Sequence, residues 1–357
     1  FANDTEAINS LEETLSLAVK QQMIADVPIG AFLSGGIDSS IITSLMQSNS
    51  TQKIKTFTIG FNQEDFNEAQ HAKAVAAHLQ TDHSELYIDS HDLLSVIPKL
   101  PELYDEPFGD SSQIPTYLIS RFAKENVTVS LSGDGGDELF GGYNRYQITR
   151  KYWSTLKMVP PALRSMLARG ILALSPNTVE KIYSSLAQNI KYSNLSDKLY
   201  KGANVLASKD IMSLYKSLVS SCNDPDSMVI GGNESNQYFD SSMEQFQSYD
   251  DLSLMMCMDL LTYLPDDILT KVDRAAMGVS LETRVPMLDH QVVEFSLQLP
   301  QQYKIRDNET KWLLRQVLYR HVPKDLIERP KAGFAMPIGL WLRTTLNEWA
   351  DDLLNKE

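Results

Sequence analysis

The stretch Val27-Pro-Ile-Gly-Ala-Phe-Leu-Ser-Gly-Gly-Ile-Asp-Ser-Ser40 decides how the rest of the chain is read. Val27 to Leu33 is apolar, rich in branched and aromatic side chains and bounded by glycine, the pattern of a short buried strand. Ser34-Gly35-Gly36 breaks that strand, and from Asp38 onward Ile41, Ile42, Leu45 and Met46 carry the apolar spacing of a helix. A strand that enters a helix through glycines makes an anion cradle. Backbone N–H groups can approach an oxygen closely there, and the first N–H groups of the helix point at the charge. Asp38 repels such an anion unless a cation lies between them, which points to Mg²⁺.

Composition sets the frame around this stretch. The 357 residues are enough for one large domain or two ordinary ones, and 43% hydrophobic with 22% charged residues is the balance of a globular chain. No apolar run approaches the roughly 20 residues of a membrane helix, so no membrane partner is expected. The start carries no signal-peptide pattern, and Phe1 in place of Met reads as a fragment or processed chain. Cys222 and Cys257 are too few for a disulfide framework or a zinc site, so a cytoplasmic location is expected. A formal charge of −14 argues against nucleic acid as a partner. Between Lys304 and Lys331, however, eight basic residues face four acidic ones. That run is either a solvated helix face or a surface turned towards polyphosphate.

Taken in order, the chain alternates helices and strands through its first half. Residues 6–25 read as an amphipathic helix, Lys55–Phe61 as a strand, and Glu68–Leu79 as a helix. Ser84–Ile88 follows as a strand, then Asp92–Tyr104 and residues 116–125 as helices and Val127–Leu131 as a strand. This alternation predicts βαβ units and a parallel twisted sheet flanked by helices, an α/β fold. From about residue 151 only helices are evident, giving a mostly helical C-terminal half. The expected organisation is an α/β core over 1–150, a variable helical insertion or lid over 151–248, and a helical segment over 249–357 that completes the site.

A second glycine-rich stretch, Leu131-Ser-Gly-Asp-Gly-Gly-Asp-Glu-Leu-Phe-Gly-Gly-Tyr143, also follows a predicted strand. Both strand ends can then open on one edge of a parallel sheet, where ligands bind in such folds. Asp134, Asp137 and Glu138 alternate there with glycines, without the spacing of an EF-hand calcium loop. Asp137 with Asp38 could hold one cation bridging phosphate oxygens. No Gly-x-Ser-x-Gly elbow, His-Glu-x-x-His helix or Walker-type loop is present.

Ser34-Gly35-Gly36-Ile37-Asp38-Ser39 resembles the pyrophosphate loop of the ATP pyrophosphatase superfamily. With Phe32–Ser40 and Leu131–Tyr143, three further motifs resemble the synthetase domain of glutamine-dependent asparagine synthetases. Asp266–Met277 and Ser280–His290 look like family helices lining the site. Thr310-Lys-Trp-Leu-Leu-Arg315 with Arg329-Pro-Lys-Ala-Gly-Phe-Ala-Met-Pro337 looks like its closing segment. The resemblance implies an adenine nucleotide alpha hydrolase-like fold with ATP as substrate and Mg²⁺ as cofactor. It implies that Ser34, Gly35, Gly36, Asp38 and Ser39 hold pyrophosphate, and that Leu33, Ile59, Ser132 and Gly133 contact adenosine. Asp38 and Asp137 match its metal carboxylates. Asp134, where many members carry the longer Glu, matches a catalytic acidic position, and Lys331 a catalytic lysine near the phosphates.

Asp105, Asp110 and Ser111 lie in a loop that could approach the acceptor. Glu282 and Arg284, like Asp273 and Arg274, fit a substrate contact and an internal salt bridge equally well. The implied reaction is adenylation of aspartate followed by amidation with ammonia, which in the family comes from a glutaminase domain not in this chain. A same-fold amidotransferase acting on another small carboxylate, such as a sugar acid, remains an alternative, and a homodimer remains an open assembly state.

Overall fold

A computed structural model describes residues 1–61, 68–174, 178, 202–203, 205–220, 222, 229–232, 246, 249–328 and 338–355. Two compact units emerge, one of Phe1–Gly142 with Asp259–Glu357, the other of Tyr143–Met258. The first unit opens with helix α1 (Asp4–Gln22), started by Asn3, whose side chain accepts from the Glu6 N–H at 2.9 Å. There follow β1 (Ile29–Phe32), α2 (Ile37–Ser48), β2 (Lys55–Phe61), α3 (Ala69–Leu79), β3 (Asp82–Ile88), α4 (Ser90–Val96), α5 (Leu100–Tyr104) and α6 (Gln113–Lys124). β4 (Val129–Leu131), α7 (Gly136–Phe140) and β5 (Glu282–Arg284) complete the sheet and its loops. The stretch expected as one helix from Asp92 to Tyr104 is instead two helices joined by the 3₁₀ turn Ile97–Lys99, because Pro98 and Pro101 each remove a helical donor.

The sheet has five strands in the order β3-β2-β1-β4-β5, every pair parallel. Ala31 pairs with Thr56 on one side and with Leu131 on the other, so β1 is central. The chain winds outward from β1 through β2 and β3, then crosses back to β4. The order therefore reverses between β1 and β4, and the loops leaving those two strands diverge there.

Both faces are covered, as buried parallel strands require. Ala31, Leu33, Val129 and Leu131 face a core shared with α1, α2 and the helix Trp312–Leu318. Phe57, Ile59 and Val127 face a second core with Ile114 and Leu118 of α6 and Ala275 and Ala276 of the helix Thr270–Met277.

β5 is a departure from the sequence expectation, which read residues 280–290 as helix. Three residues are too short to display a period. The strand exists because β4 offers it an open edge: the Glu282 N–H donates to Thr128 O at 3.0 Å and the Ser132 N–H to Arg284 O at 2.8 Å. Pro286 then turns the chain into a 3₁₀ segment, Pro286–Leu288.

In the second unit the helices Asn144–Leu156 and Pro161–Leu172 are separated by a turn through Pro160. Buried Arg164 there donates to Val159 O at 3.1 Å and Ser208 O at 2.7 Å. Among the described residues, no helix is long and apolar enough to cross a membrane.

Candidate functional site

β1 delivers its chain end into a loop that holds itself in shape. Buried Leu33 donates its N–H to Phe57 O at 2.9 Å, extending the ladder one residue past the strand. The Ser34 N–H donates to Ser39 Oγ at 3.1 Å, the two hydroxyl oxygens lie 3.0 Å apart, and the Gly36 N–H donates to Ser34 Oγ at 3.2 Å. No side chain caps the start of α2, and Asp38 stands in its first turn. The hydroxyls of Ser34 and Ser39 and the start of α2 thus ring one small polar spot, which suits an anion's oxygen atoms.

The loop after β4 packs directly on this one. A Cβ on Gly133 would lie 2.6 Å from the Asp38 carbonyl carbon and 2.7 Å from the Ser39 N. Only glycine admits that approach, and it brings the two strand-end loops into contact at the sheet's reversal point. Within the second loop, Ser132 Oγ donates to Asp134 Oδ2. Burial pushes the Asp134 carboxyl above the ordinary carboxylate range, against the Ser132 hydrogen bond and the positive charge of Lys271. Glu138 is buried in α7.

Lys311 joins the two loops electrically. It sits just before the helix Trp312–Leu318 at φ +55°, and its side chain is only 4% exposed. Its Nζ donates to Asp137 Oδ1 at 2.6 Å and also to Asp38 Oδ2. Burial draws the Lys311 ammonium down, but Asp137 and Asp38 together outweigh it and hold the pKa above the usual lysine value. Gly142 closes the packing, since a Cβ there would collide with Lys311 Cε and Asp137 Oδ1. Two carboxylates from different loops thus converge on one positive point, and the pair could hold a divalent cation.

A second cluster lies beside Asp134. Lys271 follows the π-helix Leu264–Leu269, and its Nζ lies 2.6 Å from Asp110 Oδ2 and 3.9 Å from Asp267 Oδ1. Asp110 also accepts from the Ser112 N–H at 2.8 Å and hydroxyl at 2.7 Å. Burial works to raise the Asp110 pKa, yet Lys271 and Ser112 overcome it and leave the carboxyl below its ordinary value. Buried Tyr104 donates its hydroxyl to Lys271 O at 3.2 Å, fixing the backbone that carries the lysine.

Of the residues singled out from sequence, Leu33, Ser34, Gly35, Gly36, Asp38, Ser39, Ser132, Gly133, Asp134 and Asp137 all belong to the two touching loops or the start of α2 and α7. Ile59 is buried in β2, in the strand neighbouring β1. Asp105 is paired with Arg274 at 2.9 Å on the surface, and Ser111 is exposed in the loop before α6. Arg284 bonds Glu282 at 2.6 Å and donates from Nη1 to Gln22 O and Ile24 O, each at 2.7 Å. That is an internal tie to the carbonyl end of α1, a favourable place for a cation. Lys331 and the rest of 329–337 lie outside the described residues.

Lys271 has no role in the sequence reading, and Lys311 enters it only as part of the basic run Lys304–Lys331; its burial excludes a solvated face for that residue. Charge counting could not reveal them, because a lysine that neutralises buried carboxylates looks in sequence like any surface lysine. The sequence cue for Lys271 is its place in a motif that holds Asp266, Asp267 and Asp273.

Among the described residues, no group of three or more His, Cys, Asp or Glu side chains is placed to hold a metal ion. Comparison with known proteins bears on the whole chain. The family model for asparagine synthase matches residues 10–357. The chain is 33% identical over 353 residues to asparagine synthetase [glutamine-hydrolyzing] 1 of Bacillus subtilis, covering 99% of this chain and 53% of that protein. It is 25% identical over 331 residues to asparagine synthetase [glutamine-hydrolyzing] 3 of the same organism, covering 89% of this chain and 46% of the relative. Asparagine synthetase B [glutamine-hydrolyzing] of Escherichia coli is 34% identical over 153 residues, 38% of this chain and 27% of that protein. The chain thus spans about half the length of the first of these relatives. With a parallel sheet, two glycine-rich loops at its reversal point and a match over residues 10–357, the chain belongs to the asparagine synthase family.

Proposed function

We propose that this chain carries out ATP-dependent amide formation, with aspartate as the carboxylate and asparagine as the product. An aspartate side-chain oxygen attacks the α-phosphorus of ATP, the bond to the β-phosphate oxygen breaks, and pyrophosphate leaves. Ammonia then attacks the acyl carbon of the adenylate, AMP departs, and the nitrogen loses its extra proton. The observation that carries this reading is the convergence of Asp38 and Asp137, from the loops after β1 and β4, on a single cationic point.

In this reading the Ser34–Ser39 loop and the start of α2 receive the leaving pyrophosphate, while Leu33, Ile59, Ser132 and Gly133 bound the adenosine. Asp38 and Asp137 would hold Mg²⁺. Two hard carboxylate ligands directed at one cation fit that ion, which commonly takes one or two carboxylates and fills its other positions with water and phosphate. When bound, it would neutralise charge developing on the departing pyrophosphate. Asp134, whose burial raises its affinity for a proton, is suited to accept one from the attacking nitrogen. Lys271 steadies that carboxyl electrostatically and, with Asp110, presents both charge types beside it. Lys331 is assigned to the phosphates as a second cation. The ammonia comes either free from solution or from a glutaminase unit such as the names of the relatives imply.

Incubation with ATP, Mg²⁺ and ammonium tests this reading, with pyrophosphate, AMP and asparagine measured in parallel. All three are expected in equal amounts and only when aspartate is present. Pyrophosphate release that depends on a different carboxylic acid would retain the adenylation chemistry and reject aspartate as the acceptor.

A further inference from the structure

We propose that Arg306, which belongs to neither site loop, is the positioning residue that holds Lys311 between them. Its bearing on the reaction rests on the nucleotide reading above. Lys311 directly follows a tight hairpin, β6 (Ile305–Arg306) paired antiparallel with β7 (Glu309–Thr310). Asp307 and Asn308 make the turn at φ +51° and +66°, the two left-handed residues that a two-residue hairpin turn uses. Lys311 then adopts φ +55° itself. Left-handed backbone is unfavourable for a lysine and persists only where its surroundings hold it. The geometry of this residue is therefore imposed from outside.

Arg306 provides the clamp. Its Cζ lies 3.5 Å from the centroid of the Trp312 ring, on the residue next to Lys311. The same guanidinium donates to Asp4 at the start of α1 from both terminal nitrogens, Nη1 to Oδ2 at 2.7 Å and Nη2 to Oδ1 at 3.0 Å. Its Nε donates to Gln302 O at 3.2 Å. One planar group thus ties the Trp312 ring to α1. An ordinary surface ion pair contributes little. A bidentate, stacked arginine differs, because its fork is fixed in one orientation while its face covers the ring, which a lysine cannot copy. Arg315 Nε also donates to Thr310 O at 2.8 Å, and Ile305 Cγ1 lies 3.4 Å from where a Cβ on Gly141 would stand. Those contacts seat the hairpin, whereas Arg306 fixes the side chain beside Lys311. Without Arg306 the Trp312 ring loosens, and Lys311 Nζ leaves Asp38 and Asp137 more often.

Acetylation of the full chain by acetic anhydride, read lysine by lysine by peptide mass spectrometry, tests this. Lys311 should be protected in wild type, since its side chain is 4% exposed and its Nζ meets two carboxylates. Arg306→Ala should raise its labelling rate about fivefold or more, the scale of coupling between contacting residues. Lys271, held in the other cluster, should keep its wild-type rate. Arg306→Lys, which keeps the charge without the fork or the stacked face, should resemble Arg306→Ala. If Arg306→Ala does not fold, Asp4→Ala, which frees the other end of the clamp, is read in the same assay. Unchanged Lys311 labelling overturns the proposal, as does Arg306→Lys matching wild type or an equal rise at Lys271. Equilibrium dialysis of ATP with Mg²⁺ separates the two readings. Arg306→Ala should bind ATP about fivefold more weakly than wild type, by the same coupling. ATP bound equally tightly by both also overturns the proposal. The expected labelling pattern with no ATP bound by wild type supports the positioning of Lys311 and rejects the nucleotide assignment.

Discussion

Gly142 is where the site's geometry depends most on a missing atom. A methyl group there would meet both Lys311 Cε and Asp137 Oδ1, so Gly142→Ala must push apart the ion pair that joins the loops. Chemical denaturation should show a loss of about 1–3 kcal/mol, the usual cost of overpacking. Gly109→Ala is the matched control, because nothing lies within 4 Å of its added Cβ, and it should be close to neutral. Asp38→Asn removes charge but not volume. It should lower pyrophosphate formation about a hundredfold or more, the scale of losing one preorganised electrostatic partner, while circular dichroism stays native. Activity near wild type in Asp38→Asn would separate this residue from the chemistry. At this scale the sequence was readable where chemistry follows from spacing: Asp38 and Asp137 each stand in a glycine-rich loop after a strand. Lys311 was unreadable in that way, since its burial is a product of three distant segments meeting.

Elements with a clear period were legible, and those made by their neighbours were not. Lys55–Phe61 has the same bounds in sequence and structure, because a branched and aromatic run bounded by polar residues has few other states. β5 was missed because pairing with β4, and not its three residues, makes it a strand. β3 gives this scale a pH test. Its His83 shares a hydrogen bond with Thr56 of β2 at 2.9 Å, and its Nε2 is buried without a hydrogen-bond partner among the described residues. Burial lowers the His83 pKa, with Glu85 opposing and Lys73 adding to the effect. In the window below the ordinary value of about 6.5, the unfolded chain therefore binds more protons than the folded one. Stability should rise with pH through that window and fall as the pH drops. His83→Gln should flatten that slope in urea titrations at successive pH values; an unchanged slope would mean that His83 does not contribute. β4 offers the packing test. Leu131 is fully buried between β1 and the site loop, and Leu131→Ala should cost about 2–5 kcal/mol of stability.

Across the whole molecule, the order β3-β2-β1-β4-β5 explains why two motifs nearly a hundred residues apart act together. β1 and β4 are parallel neighbours, so their loops leave from the same edge of the sheet, where Gly133 lets them touch. The α/β class followed from alternating elements, and the family from motifs in a fixed order. The acceptor was not legible, because Asp110, Asp134 and Lys271, which the fold brings together, come from separate segments and so leave no linear signature.

Exchange of labelled pyrophosphate into ATP reports carboxylate activation before any amide forms, and so bears directly on the adenylation claim. Aspartate with Mg²⁺ should drive label into ATP, and Asp38→Asn and Asp137→Asn should each abolish that exchange. Exchange absent with every carboxylic acid supplied, or persisting at the wild-type rate in both variants, would contradict an adenylation site built on the loops after β1 and β4.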